Sequence, residues 1–157
     1  MKCILAAALM AAQLALAGCA ALPQRIHFPA NPLPSVVAAA SSPSPAYSAA
    51  VLAGNTLYVS GGIDIDQTSG KLGGSAEESA KFALDGLKRS VESAGMTMDE
   101  LVWVQIFCTD LSYYAPFNAV YKTYFHGELP ARAFLGVDHL LGNAHIELMG
   151  MAVKKGQ

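Results

Sequence analysis

Between positions 47 and 153 apolar residues recur with two periods, and each change of period marks a change of backbone structure. Residues 47–53 and 56–63 are strand-like runs, and Gly54-Asn55 between them tolerates the positive φ of a tight turn, so the pair predicts a hairpin. After a glycine-rich loop, Ser75-Ala76-Glu77-Glu78 has the spacing of a capping box. Ala80, Ala83, Leu84, Leu87, Val91 and Ala94 then repeat at helical intervals until Gly95 supplies a stop. Residues 101–109 are β-branched and aromatic on both faces, which predicts an interior strand covered on each side. Phe117, Val120, Tyr121 and Tyr124 share one face of a second helix over 115–125, with Pro116 tolerated in its first turn. Beyond Pro130, residues 131–137 and 145–153 form the last two strands. The order β-β-α-β-α-β-β predicts an α+β fold, a single mixed sheet with two helices packed on one face. The uncovered face must be buried, and for so small a domain another copy of the chain is the simplest cover, so an oligomer is expected.

The first 45 residues follow another pattern. Met1-Lys2 and the nearly uncharged run from Cys3 to Ala17 have the n-region and h-region of a signal peptide; a spanning helix would take roughly 20 apolar residues. From Ala20 to Pro45 the chain is rich in Pro, Ala and Ser and lacks an apolar period. It reads as an extended tether, spanning at most on the order of 80 Å at about 3.1 Å per residue. The expected partition is therefore 1–18 signal peptide, 19–45 tether and 46–155 folded domain.

Composition narrows the function. With 53% hydrophobic and 14% charged residues, the 157-residue chain supports one domain of ordinary size, and a net charge of −2 gives no basic field for a phosphate backbone. Nucleic acid is not an expected partner; small molecules are. Cys3 would leave with the signal, and Cys108 sits in an apolar run, so it reads as a buried structural thiol. His27, His126, His139 and His145 form no ligand spacing, and no metal site is expected.

Two charged residues stand out. Arg132 is the single cation in the apolar stretch 131–137. Its planar fork matches a carboxylate, either that of a substrate or a structural partner such as Glu128, Asp138 or Glu147. Glu147 interrupts the apolar run 146–153, on the face it shares with Met149 and Met151. Burial would raise its pKa, which suits a group that positions or deprotonates water; the alternative is a carboxylate satisfied by backbone amides or by Arg132.

Several separated motifs, in register, carry a resemblance. They are Tyr47, Val59-Ser60-Gly61, Glu92-Ser93-Ala94-Gly95, Phe107-Cys108-Thr109-Asp110-Leu111, Asn118-x-x-Tyr121-x-x-Tyr124-Phe125, Pro130-Ala131-Arg132 and Ile146-Glu147. Through them residues 47–155 resemble the Rid/YjgF family of enamine/imine deaminases. The resemblance implies a chorismate-mutase-like homotrimer with clefts at the subunit interfaces, working without a cofactor. It implies hydrolysis of small 2-imino carboxylic acids to ammonia and a 2-oxo acid, with Arg132 clamping the carboxylate and Glu147 positioning the water. Tyr47, Ser60, Gly61 and Asn118 would line the pocket. Gly62, Phe134, Leu140-Leu141 and Met149 depart from the family's pattern, and Phe134 is expected to narrow the cleft or fill it. A non-catalytic envelope module that binds a small carboxylate or a protein partner is the alternative; a nuclease activity, described for some relatives, suits this acidic chain poorly. Leu16-Ala17-Gly18-Cys19 resembles the lipobox of bacterial lipoproteins. That implies acylation of Cys19, anchoring to a bilayer and, with Ala20 after it, a periplasm-facing place at the outer membrane.

Overall fold

The computed structural model describes residues 24–30 and 45–155. Six strands, β1 (Arg25–Pro29), β2 (Ser48–Ala53), β3 (Thr56–Ile63), β4 (Leu101–Cys108), β5 (Ala131–Gly136) and β6 (Ile146–Val153), form one sheet in the order β1-β2-β3-β6-β4-β5. Only β4 and β5 run parallel; every other neighbouring pair is antiparallel. Helices α1 (Ala76–Ser93) and α2 (Tyr114–Tyr121) pack against each other, and α1 lies on β3 and β6. The α+β class and the mixed sheet with two helices are those the pattern predicts.

Local chemistry sets the element ends. The Ser75 hydroxyl accepts from the Glu78 amide at 3.2 Å, while the Glu78 carboxylate takes the amide of Gly74 at 2.7 Å, one residue before the partner a capping box would use. Gly95, at φ 69°, lets the chain turn away after α1. Ala80, Ala83, Leu84, Leu87 and Val91 bury the inner stripe of α1 against the sheet, and full burial of each leucine or valine contributes roughly 1.5–3 kcal/mol. The second helix is shorter than expected, because Lys122–Tyr124 tightens into a 3-10 turn.

Two expectations are corrected. Residues 25–29, assigned by composition to the tether, pair antiparallel with β2 as an edge strand, and Phe28 packs on the core opposite Ala50. Pro29 is compatible with this because it ends an edge strand, where a missing N–H is tolerated. Residues 1–23, including the expected signal and Cys19, and residues 31–44 lie outside the described residues. Secondly, β4 is interior in the sheet but the helices cover only one of its faces. Val104, Ile106 and Cys108 are buried beneath them, while Trp103, Gln105 and Phe107 face the other way and are half-buried. That open face continues through Met149 and Met151 of β6 to Tyr58 of β3.

Candidate functional site

Strand alternation places Glu147. Ile146, Leu148, Gly150 and Ala152 are buried toward the helices, so Glu147, Met149 and Met151 project to the open face. Opposite them β3 carries a bulge: Val59 pairs with Gly150, but Gly62 pairs with Leu148, leaving one extra residue in β3. Gly61 lies in that bulge, and the Glu147 carboxylate occupies the space a side chain on Gly61 would need. Beyond Val59, β3 has no partner on β2, and the Ser60 hydroxyl donates to the Ser48 carbonyl at 2.6 Å. A cleft of about 440 Å³ opens along this free edge, lined by Tyr47, Ser60, Gly61, Gly62, Glu147 and, across from them, Arg89 of α1. Burial alone pushes the Glu147 pKa above the ordinary 4.5 of a glutamate. Among the described residues the carboxylate has no ion-pair partner.

Arg132 occupies different surroundings. The parallel register sets it beside Val104 and sets Phe134 beside Ile106, so both point to the helix side. Its guanidinium carbon lies 4.8 Å from the centre of the Tyr121 ring and 5.8–5.9 Å from those of Tyr114, Phe117 and Phe134. These rings stabilise the cation and hold its plane. Among the described residues no carboxylate lies within ion-pair distance of Arg132. A second cleft of about 330 Å³ opens here, lined by Tyr114, Asn118, Tyr121, Lys122, Leu129, Pro130 and Arg132. Within it Asn118 Oδ1 and the Tyr121 hydroxyl are buried without a hydrogen-bond partner. Burial pushes the Tyr121 pKa up to about 12, against the opposing pull of the Arg132 charge, so this phenol stays protonated at neutral pH.

The expected site residues thus fall into two groups. Tyr47, Ser60, Gly61 and Glu147 line the first cleft; Asn118 and Arg132 line the second. Within one protomer Arg132 and Glu147 point to opposite faces of the sheet, so they do not pair with each other and no single cavity holds both. Phe134 is not among the lining residues of either cleft in the protomer; its ring meets Phe117 edge-on at 5.4 Å and Tyr114 at 5.1 Å and flanks the Arg132 guanidinium.

One buried group was missed. Asp64 is fully buried and accepts from the His145 amide at 2.9 Å, His145 Nδ1 at 3.0 Å and the Ile146 amide at 3.3 Å. The signal was present in an acid flanked by Ile63 and Ile65, but a strand-end carboxylate reads equally well as solvated. Cys108 is buried, its thiol donating to the Asp110 carbonyl at 3.1 Å, and burial pushes its pKa up, as befits a structural thiol. Among the described residues no three metal-ligating side chains cluster, and no helix is long and apolar enough to cross a membrane.

The family described as Endoribonuclease L-PSP matches residues 37–154. The 2-iminobutanoate/2-iminopropanoate deaminase of Rattus norvegicus is 43% identical over 111 residues, covering 69% of this chain and 80% of that protein. Among solved structures, the YjgF gene product of E. coli superposes with a TM-score of 0.68 at 28% identity, over 80% of this chain and 100% of that one. E. coli TdcF with bound serine gives a TM-score of 0.68 at 27% identity, over 74% of this chain and 91% of that one.

Proposed function

We propose, for a chain that belongs to the Rid/YjgF family, the one described as Endoribonuclease L-PSP, that it hydrolyses small 2-imino carboxylates to 2-oxo acids and ammonia in clefts shared between the subunits of a homotrimer. The observation that carries this reading is the separation of two complementary charges. Among the described residues Arg132 is a cation in an aromatic cage with no carboxylate in ion-pair distance, Glu147 is a half-buried carboxylate with no cation in ion-pair distance, and they face opposite sides of one sheet. A neighbouring copy seated on the apolar open face would bring the Glu147 cleft of one protomer against the Arg132 cleft of the next. The curated relative in rat is named for the same reaction, and the E. coli neighbour with bound serine holds a small amino acid.

The chemistry follows from the groups. Arg132 takes the substrate carboxylate in a charge-assisted fork. Water adds to C2 of the imine, its oxygen forming the new C–O bond while the C=N π electrons move to nitrogen; Glu147 accepts the proton this water releases and passes it to that nitrogen, giving the carbinolamine. Glu147 then takes the remaining hydroxyl proton and delivers it to nitrogen as the oxygen electrons form C=O and the C–N bond breaks. Ammonia and the 2-oxo acid remain, and the carboxylate is regenerated. A raised pKa brings Glu147 nearer the working range of a base that must also act as an acid.

The test is complementation between subunits. Arg132→Ala and Glu147→Gln are each expected to lose ammonia release from enzymatically generated 2-iminopropanoate. If each site takes Arg132 and Glu147 from different protomers, an equal mixture refolded together regains about a quarter of wild-type activity, the statistical share of sites with both groups intact. Mixtures that stay inactive despite demonstrated subunit exchange would sink the shared-cleft reading. Ligand stabilisation of the wild type by 2-oxobutanoate without turnover would instead favour a carboxylate-binding module.

We further propose that residues 1–18 are a signal peptide and that acylated Cys19 anchors the mature protein facing the periplasm, at the outer membrane. Palmitate labelling of the wild type, and its loss in Cys19→Ser, is the expected result; equal labelling of both would refute it.

A further inference from the structure

We propose that the acid held at Arg132 carries a second carboxylate, so that the preferred substrates are 2-imino dicarboxylates and the products 2-oxo dicarboxylates. This deepens the deaminase reading above and rests on it.

The Arg132 cleft has two cations. Lys122, the first residue of the 3-10 turn after α2, lines it together with Arg132, and no acidic side chain is among the lining residues. Among the described residues neither cation has a carboxylate within ion-pair distance. The two lysines of α1 do find partners on their own helix, Lys81 with Asp85 at 2.6 Å and Lys88 with Glu92, whereas Lys122 follows α2, which carries no acid. Lys122 sits at the C-terminal end of α2, where the helix dipole favours a cation, but that leaves its position on the Arg132 cleft without a role. Each protomer thus brings two cations and no acid to this cleft, and with one carboxylate from Glu147 across the shared site, a dianion is the ligand whose charge matches both.

Geometry and room agree. Arg132 is held by four rings and has its fork fixed, which suits the carboxylate next to the reacting carbon. Lys122 is a point charge on a flexible stem at the rim, which suits a second carboxylate at a variable distance. A cleft of about 330 Å³ is generous for a three- or four-carbon acid. Asn118 and Tyr121 line the same cleft, and their Oδ1 and hydroxyl lie buried in its wall without partners, an acceptor and a donor that a side-chain rotation would turn to the ligand.

The experiment compares 2-oxoglutarate with 2-oxobutanoate by calorimetry on the intact protein, in the wild type, Lys122→Met and Arg132→Ala. The wild type is expected to bind the dicarboxylate about tenfold more tightly, and Lys122→Met to erase that preference. Lys122→Glu, at an exposed position that leaves folding intact, is expected to invert it. Arg132→Ala should lose both ligands. Equal wild-type affinities, or a preference that survives Lys122→Met and Lys122→Glu, would overturn the dicarboxylate assignment while leaving the deaminase reading in place if 2-iminopropanoate is still hydrolysed. Failure of both acids to bind, together with no imine turnover, would overturn both.

Discussion

A side-chain carbon added to Gly61 would overlap the Oε1 oxygen of Glu147 and lie 3.0 Å from its Cδ. The bulge in β3 therefore does more than bend the strand: it leaves, in a residue without a side chain, the volume in which the carboxylate rests. Backbone and acid are matched, and the glycine is required by close approach rather than by its dihedral angles.

Gly61→Ala is accordingly expected to swing the Glu147 carboxylate out of place. Because misplacement by about 1 Å can cost on the order of a hundredfold in rate, ammonia release should fall at least tenfold while the melting temperature drops only a few degrees. Steady-state turnover and thermal denaturation of the same preparation check this, and an unchanged turnover would show that the position of the carboxylate does not matter.

Tyr121 offers a test of the second cleft. Its hydroxyl is buried without a partner, so Tyr121→Phe removes an unsatisfied polar group and is expected to raise the stability of the ligand-free protein by about 1 kcal/mol. The same change should weaken 2-oxobutanoate binding several-fold if the hydroxyl serves the ligand. Denaturant unfolding and calorimetry read the two effects separately.

The pH dependence of stability isolates Glu147. Its folded-state pKa is raised by burial, so the charged form is disfavoured in the folded chain. Below the unfolded value, near 4.5, both states are protonated and nothing is lost. As pH rises through that value the unfolded chain ionises first, and stability falls until the folded carboxyl has also ionised. Glu147→Gln removes this titration. The melting temperature of the variant should thus gain on the wild type as pH rises above about 4.5, and parallel profiles would contradict a raised pKa.

Asp64 is the structural counterpart. Three donors, the His145 and Ile146 amides and the His145 ring, converge on one buried carboxylate. Asp64→Ala would leave them unsatisfied, a loss on the order of 3 kcal/mol, whereas His145→Ala removes a half-exposed ring and should cost less. Chemical denaturation of both variants ranks them.

Much of this was legible in the chain. The capping serine at 75, the stop at Gly95, the hairpin at Gly54 and the period of each element placed α1, α2 and five of the strands, because these signals act over a few residues. The strand at 25–29 was not, since its support comes from pairing with β2 and from a single inward Phe28 amid a proline-rich composition. Arg132 and Glu147 were legible as isolated charges in apolar strands; for Phe134 the sequence shows that a large ring stands near Arg132, not that it turns to Phe117.

By itself, then, the sequence determined the type and order of the elements, the identity of the charged residues and, through the alternation of β6, that Glu147 and Leu148 face opposite ways. Tertiary structure decided what lies on each face. Which side the helices cover, where the bulge falls between Val59 and Gly62, and that Arg132 looks toward α2 while Glu147 looks away are set by strand pairing and packing between residues far apart in the chain. Local periodicity contains no term for contacts of that kind, because it records only that neighbours along a strand point to alternate sides.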